Sequence, residues 1–141
     1  MKNIIKLSGI IILSMLIGFG FVSCGEDDLG LNGEWVIRNG FEIRINGSNG
    51  TITKCEDTDP LSLNAIQKGY YGVGALFYRN IKSSGYLTYT GQEAFLSYNS
   101  GSPNVATGVT WYNITLTLAT DGESVTRRME SGTGAATFYR K

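Results

Sequence analysis

The stretch "GEWVIRNGFEIRI", residues 33–45, admits two hairpin registers, and only one of them keeps its two faces apart. If Asn39-Gly40 made a two-residue turn, Trp35 would lie opposite Arg44 and Val36 opposite Ile43, mixing polar and apolar groups on both faces. A three-residue loop, Arg38-Asn39-Gly40 with Gly40 left-handed, is another common hairpin connection. It sets Ile37 against Phe41 and Trp35 against Ile43 on one face, and Glu34 against Arg44 on the other. The second register is the expected one. A hairpin with one apolar and one charged face is part of a packed β layer, so the chain around it must supply the remaining strands.

Downstream the pattern continues. "NGSNG" (46–50) is a glycine-rich turn, and "TITKC" follows as a strand. "DPLSLNAIQKG" then breaks the alternation. Asp59 is placed to cap, Pro60 fits a first helical position and Gly69 fits a terminator, so a short helix is expected over 60–68. Strands resume with "GVGALFYRNI", "GYLTYT" and "AFLSY". A loop, "NSGSPNVATG", separates these from "VTWYNITLTLAT", which turns on Asp121-Gly122 into "ESVTRRME". "GAATFYRK" makes the last strand. The expected fold is therefore all-β, with eight or nine short antiparallel strands and one short helix. An open sheet of that size exposes its edges, so closure into a small barrel is expected, with a two-sheet sandwich as the alternative.

The composition agrees. In 141 residues there are 19 Gly, 8 Tyr, 6 Phe and 2 Trp but only 2 Pro, which suits strands joined by tight turns in one domain. The formal net charge is +0 with 17% charged residues, so no basic surface points to nucleic acid. There is no histidine. That removes His-based triads, His general bases and most catalytic zinc sites.

Upstream of the hairpin the chain changes character. Lys2 and Lys6 precede an uncharged run from Leu7 to Gly25 with the apolar heart "IIILSMLIGFGFV", the layout of a secretory signal peptide. Hydropathy alone leaves an uncleaved membrane helix open, since about 20 apolar residues span a bilayer. The boundary "FVSC" resembles the lipobox of bacterial lipoproteins, with Phe21 apolar, Ser23 small, and Cys24 the acceptor of the diacylglycerol. The resemblance implies a signal peptide over 1–23, a lipidated tether over 24–30 beginning "CGEDD", and a domain over 31–141. It also implies membrane attachment through Cys24 in the cell envelope, at the outer membrane, with the membrane face open. Loss of Lys2 and Lys6 leaves ten basic residues against twelve acidic ones. A lipidated Cys24 leaves Cys55 without a disulfide partner.

"LNGEW" (31–35) resembles the Gly-x-Trp opening of lipocalin-like domains. In that family the first-strand tryptophan closes one barrel end and an arginine of the last strand packs over it. Gly33, Trp35 and Arg140, the last within "TFYRK", stand in the matching places. The resemblance implies a barrel that binds a small ligand at its mouth.

Other candidates read more simply as structure. Glu56, Asp57 and Asp59 of "CEDTDP" lack the remaining ligands of a calcium loop, so no metal and no cofactor are expected. Cys55 has no histidine to activate it and reads as a packed thiol. Tyr70, Tyr71, Phe77, Tyr78, Tyr86, Tyr89, Phe95, Tyr98, Trp111 and Tyr112 suit either a ligand-gripping pocket or plain packing. No particular ligand-binding residue can be named. The leading expectation is a membrane-anchored, non-enzymatic module for a small apolar or amphiphilic ligand. The alternative is a surface protein with a filled β core that binds a protein or glycan, inhibitor-type barrels included. An enzyme is not expected, because carboxylates would have to carry all acid–base work.

The lipobox reading has a direct check. Metabolic labelling with an alkyne fatty acid should tag the wild-type chain and leave Cys24→Ser untagged; an equally labelled variant overturns the assignment.

Overall fold

The structure is a computed structural model, and it describes residues 30–101, 105–132 and 134–141. The signal peptide, Cys24 and nearly all of the expected tether lie outside the described residues. Eight strands form a closed antiparallel barrel in chain order. They are β1 (Gly33–Arg38), β2 (Phe41–Asn46), β3 (Asn49–Cys55), β4 (Leu76–Gly85), β5 (Thr88–Tyr98), β6 (Ala106–Leu118), β7 (Ser124–Met129) and β8 (Ala135–Arg140). Closure, and not a sandwich, resolves the edge problem, because β1 pairs with β8. Among the described residues no helix is long and apolar enough to cross a membrane.

The opening hairpin pairs Trp35 with Ile43 and Glu34 with Arg44, as its two-faced pattern requires, and Arg44 forms an ion pair with Glu34. One detail differs from expectation. Phe41 pairs with Arg38 and not with Ile37, because a bulge between Val36 and Arg38 absorbs one residue. The turn is thereby shortened to Asn39-Gly40, with Gly40 at φ +77°. The bulge keeps Trp35 and Ile43 on the inner face although the loop has only two residues.

The helix α1 spans Pro60–Gln67. Asp59 caps it by accepting from the backbone N–H groups of Leu61 and Ser62, at 3.1 and 2.9 Å. Its buried contact is Ala65. Asn64 and Lys68 fasten it to the start of β6. The Asn64 side-chain oxygen accepts from the Ala106 N–H at 3.0 Å, and Lys68 donates to the Ala106 carbonyl at 2.8 Å.

Three strand boundaries move. "GYLTYT" and "AFLSY" are not two strands but the turn and body of one, β5, which runs unbroken through Gly91, Gln92 and Glu93. That merger settles the count at eight. β4 starts at Leu76 and continues to Gly85, and β6 starts at Ala106 within the expected loop. Beyond Glu93 and Ile114, β5 and β6 pair only with each other, through Tyr98 and Ala106. They form a two-stranded arm past the barrel wall. Gly30, expected in the tether, is buried and belongs to the barrel end.

The closing contact sits at that end. The Arg140 guanidinium lies 4.4 Å over the ring of Trp35, which is 0% exposed. Trp35 Nε1 donates to the Leu31 carbonyl at 2.8 Å. Arg140 donates to the carbonyls of Gly122 at 2.8 Å and Asn32 at 3.0 Å, and also to that of Gly30. Gly33 permits this approach. Its φ is +140°, and a Cβ there would stand 2.6 Å from Arg140 Nη1.

Truncation at this contact should be costly. Trp35→Ala is expected to lose about 3–5 kcal/mol in urea unfolding. In a double-mutant cycle with Arg140→Ala the pair should couple by more than about 1 kcal/mol. Additive losses would show that the two residues stabilise the barrel independently.

Candidate functional site

The barrel interior is occupied by side chains. Alternation turns Trp35, Phe41, Ile43, Ile45, Ile52, Tyr78, Ile81, Ile114, Leu116, Leu118, Val125 and Phe138 inward, and all are buried. A continuous series of ring contacts runs from the α1 end into the core. Tyr71 stacks on Phe41 at 5.5 Å, Phe41 meets Phe77 at 5.2 Å, Phe77 meets Tyr78 at 4.8 Å, and Tyr78 meets Phe138 at 6.4 Å. The central tyrosines and phenylalanines that suited either a pocket or packing are packed here. Tyr86 is exposed, Tyr98 and Tyr112 are partly exposed, and Tyr112 meets Phe95 edge-on at 5.2 Å.

One polar cluster lies within this core. Glu93, 4% exposed, is the cross-strand neighbour of Tyr78 and lies 2.9 Å from Arg127 Nε. Burial raises the Glu93 carboxyl to about 7, against the opposing pull of Arg127. Burial also raises the Tyr78 phenol, and the Glu93 charge adds to that. Tyr78 Oη, Glu93 Oε2 and Arg127 Nε complete no well-directed hydrogen bond among the described residues. The cluster is enclosed by the barrel wall, so it faces no open site.

A cleft of about 250 Å³ opens at the rim, between Leu31 and Asn32, Gly47, and the Ile81–Ser83 segment with Tyr89. It is smaller than the roughly 300–1,000 Å³ pockets that enclose drug-sized ligands.

The acidic segment divides its charges. Asp57 is ion-paired with Arg38 at 2.6 Å and accepts from the Tyr71 hydroxyl at 2.9 Å. Burial, with this hydrogen bond second, raises the Tyr71 phenol. Asp59 is spent on the helix cap and Glu56 on Lys54 at 2.8 Å. No group of three or more His, Cys, Asp or Glu side chains placed for a metal occurs among the described residues. Cys55, half-buried at the end of β3, packs against the core.

The outer wall carries a row of polar side chains. Gln92 Oε1 accepts from Arg79 Nε at 2.9 Å and from Asn80 Nδ2 at 3.3 Å. Gln92 Nε2 donates to Asn113 Oδ1 at 3.1 Å, and Asn113 Nδ2 donates to Glu130 Oε2 at 3.0 Å. The row thus crosses β4, β5 and β6 to the end of β7. Pairing fixes it, since Arg79 faces Gln92 and Gln92 faces Asn113. Beside it, Trp111 lies under the Arg79 guanidinium at 4.1 Å. Two adjoining clefts, of about 320 and 390 Å³, share Gln92, Asn113 and Glu130 as lining. Trp111 borders the second.

Sequence reasoning singled out Trp111 but none of Arg79, Gln92, Asn113 and Glu130. Each is one outward polar residue on its own strand, and only the register brings them together. No protein-family model, curated protein or solved structure matches the chain.

Glu93 makes stability pH-dependent in an unusual direction. A folded pKa of about 7 against an ordinary 4.5 means that the folded state holds the extra proton between those values. Stability therefore falls as pH rises from 4.5 to 7 and levels off above. Glu93→Gln should remove that slope, on the order of 3 kcal/mol across the window, in denaturation series at stepped pH. An unchanged slope would show that Glu93 is not its source.

Proposed function

We propose that this protein is a non-enzymatic interaction module, held to the cell envelope by lipid at Cys24, that meets its partner through the outer wall of its barrel. The observation that carries the proposal is the filled interior, with Trp35, Tyr78, Phe41 and Phe138 each under 3% exposed. A barrel that holds an amphiphile needs lumen volume, and here aromatic rings occupy it. The wall, by contrast, offers two adjoining clefts along a hydrogen-bonded row of side chains. A rigid scaffold that displays pre-ordered polar groups suits recognition, because less side-chain freedom is lost on binding.

The anchor contributes address and orientation. Burying acyl methylenes at ~0.8 kcal/mol each, over more than one chain, holds a protein stably at a membrane. From Cys24 to Gly30 the chain reaches at most roughly 20 Å. The barrel end carrying Gly30 is then kept near the membrane, and the β5–β6 arm points away from it.

Native mass spectrometry of the full chain, purified in mild detergent, tests the reading. After activation strips the micelle, the expected species carries only its covalent anchor mass. A stoichiometric apolar molecule that remains bound would return function to the barrel interior.

A further inference from the structure

The geometry points to a neutral carbohydrate as the ligand of the outer wall, bound along the row Arg79–Gln92–Asn113–Glu130 with Trp111 beside it. This inference rests on the surface-interaction reading and names its chemistry. A sugar offers adjacent hydroxyls, each a donor and an acceptor, and an apolar face of C–H groups. Planar amides and carboxylates answer vicinal hydroxyls with paired donors and acceptors, and an indole answers the C–H face.

The row has that capacity left over. Gln92 uses both lone pairs of its oxygen on Arg79 and Asn80, and one amide hydrogen on Asn113. Its second amide hydrogen remains. Asn113 accepts once and donates once within the row, leaving one lone pair and one amide hydrogen. Glu130, exposed at the end of the row, keeps its Oε1. These groups are held by one another, so a ligand need not order them first. Arg79 fixes Trp111 by lying on its ring, and the indole borders the second cleft with the surface that the guanidinium leaves uncovered.

Charge selects among ligand classes. The clefts hold Lys82 and Glu130, which offset each other, while Arg79 is engaged with Gln92 and Trp111. No cluster of cations invites phosphate or sulfate, and amides in place of aliphatic groups argue against an acyl chain. Three strand spacings carry the row over roughly 14 Å. That is longer than a single pyranose ring, so a short oligosaccharide fits it better than a monosaccharide.

The test is an array of neutral oligosaccharides of glucose, galactose, mannose and N-acetylglucosamine, probed with the detergent-purified full chain. Sulfated glycans, uronate-bearing glycans and peptides form separate arms. Saturable binding to at least one neutral oligosaccharide is expected. Gln92→Ala, Asn113→Ala and Trp111→Ala should each weaken it tenfold or more, and Thr117→Ala, further along β6, should leave it unchanged. Gln92→Glu and Asn113→Asp keep the side-chain shape while replacing donors by acceptors. They should also lose binding with the thermal melt preserved, which separates recognition from folding. The inference is overturned by an array without neutral binders, or by binding that ignores the row variants. Binding confined to the acidic glycans or the peptides also overturns it, and leaves the surface reading standing. A lipid retained in native mass spectrometry instead removes the surface reading itself.

Discussion

Arg140 over Trp35 is the contact on which barrel closure depends. The β1–β8 seam is short: Trp35 pairs with Arg140 and Val36 with Tyr139, and the Lys141 N–H adds one bond to the Glu34 carbonyl at 3.0 Å. So short a ladder would be a weak seal by backbone bonds alone. Arg140 widens it, because one guanidinium stacks on the β1 indole and reaches the carbonyls of Gly30, Asn32 and Gly122. Those carbonyls belong to the segment before β1 and to the β6–β7 turn. The last strand thus ties the entry segment, the first strand and a distant turn into one end. Among the described residues no disulfide takes part, and Cys55 is a free thiol there.

A barrel closed this way gains stability by filling its interior, and the filling decides where binding can occur. The aromatic series from Tyr71 to Phe138 joins the α1 end to the β8 wall. Glu93 and Arg127 are the exception among apolar neighbours. A buried ion pair carries a desolvation cost that can exceed its attraction, and the raised Glu93 carboxyl is that cost expressed as proton affinity. With the interior committed to packing, the proposed binding surface is the outer wall. Fold alone would not have pointed there, because barrels of one architecture serve unrelated functions.

Much of this architecture was legible in the chain, for local reasons. The faces of "GEWVIRNGFEIRI" required Trp35 opposite Ile43, and Asp59-Pro60 announced α1. The misses also have local causes. Gly91, Gln92 and Glu93 look like a turn between two apolar runs, so β5 read as two strands. In the fold Gly91 is there because its neighbour strand crowds it. A Cβ would meet the Arg79 carbonyl oxygen at 3.2 Å and the Ile81 side chain at 3.2 Å. Glu93 puts a charge at an inward position of β5, and Arg127 arrives to meet it from a strand over thirty positions later. The bulge that shifted Phe41 to Arg38 had no signal in composition. The polar row was the least legible feature of all. Its members are separated by 13, 21 and 17 positions in the chain, and each taken alone is an ordinary outward side chain.

The same topology relates the closed end to the wall proposed as the binding surface. Gly30, Leu31, Trp35 and Arg140 gather at one end of the barrel, and Leu118, the last residue of β6, lies against Gly30. β6 then runs thirteen residues back to Ala106, about 40 Å along the strand. Asn113 and Trp111 fall in its middle and far half. On the proposed anchoring, load from the membrane enters at Gly30, whose carbonyl is held by Arg140. The contact that closes the barrel is therefore also the contact that bears the tether. The clefts beside Gln92 and Asn113 stand several residues further along the strands, where Gln92 and Ile114 are still paired on both sides and the two-stranded arm begins. On that reading, closure at the near end and recognition on the wall beyond it are carried by different strands of the same barrel.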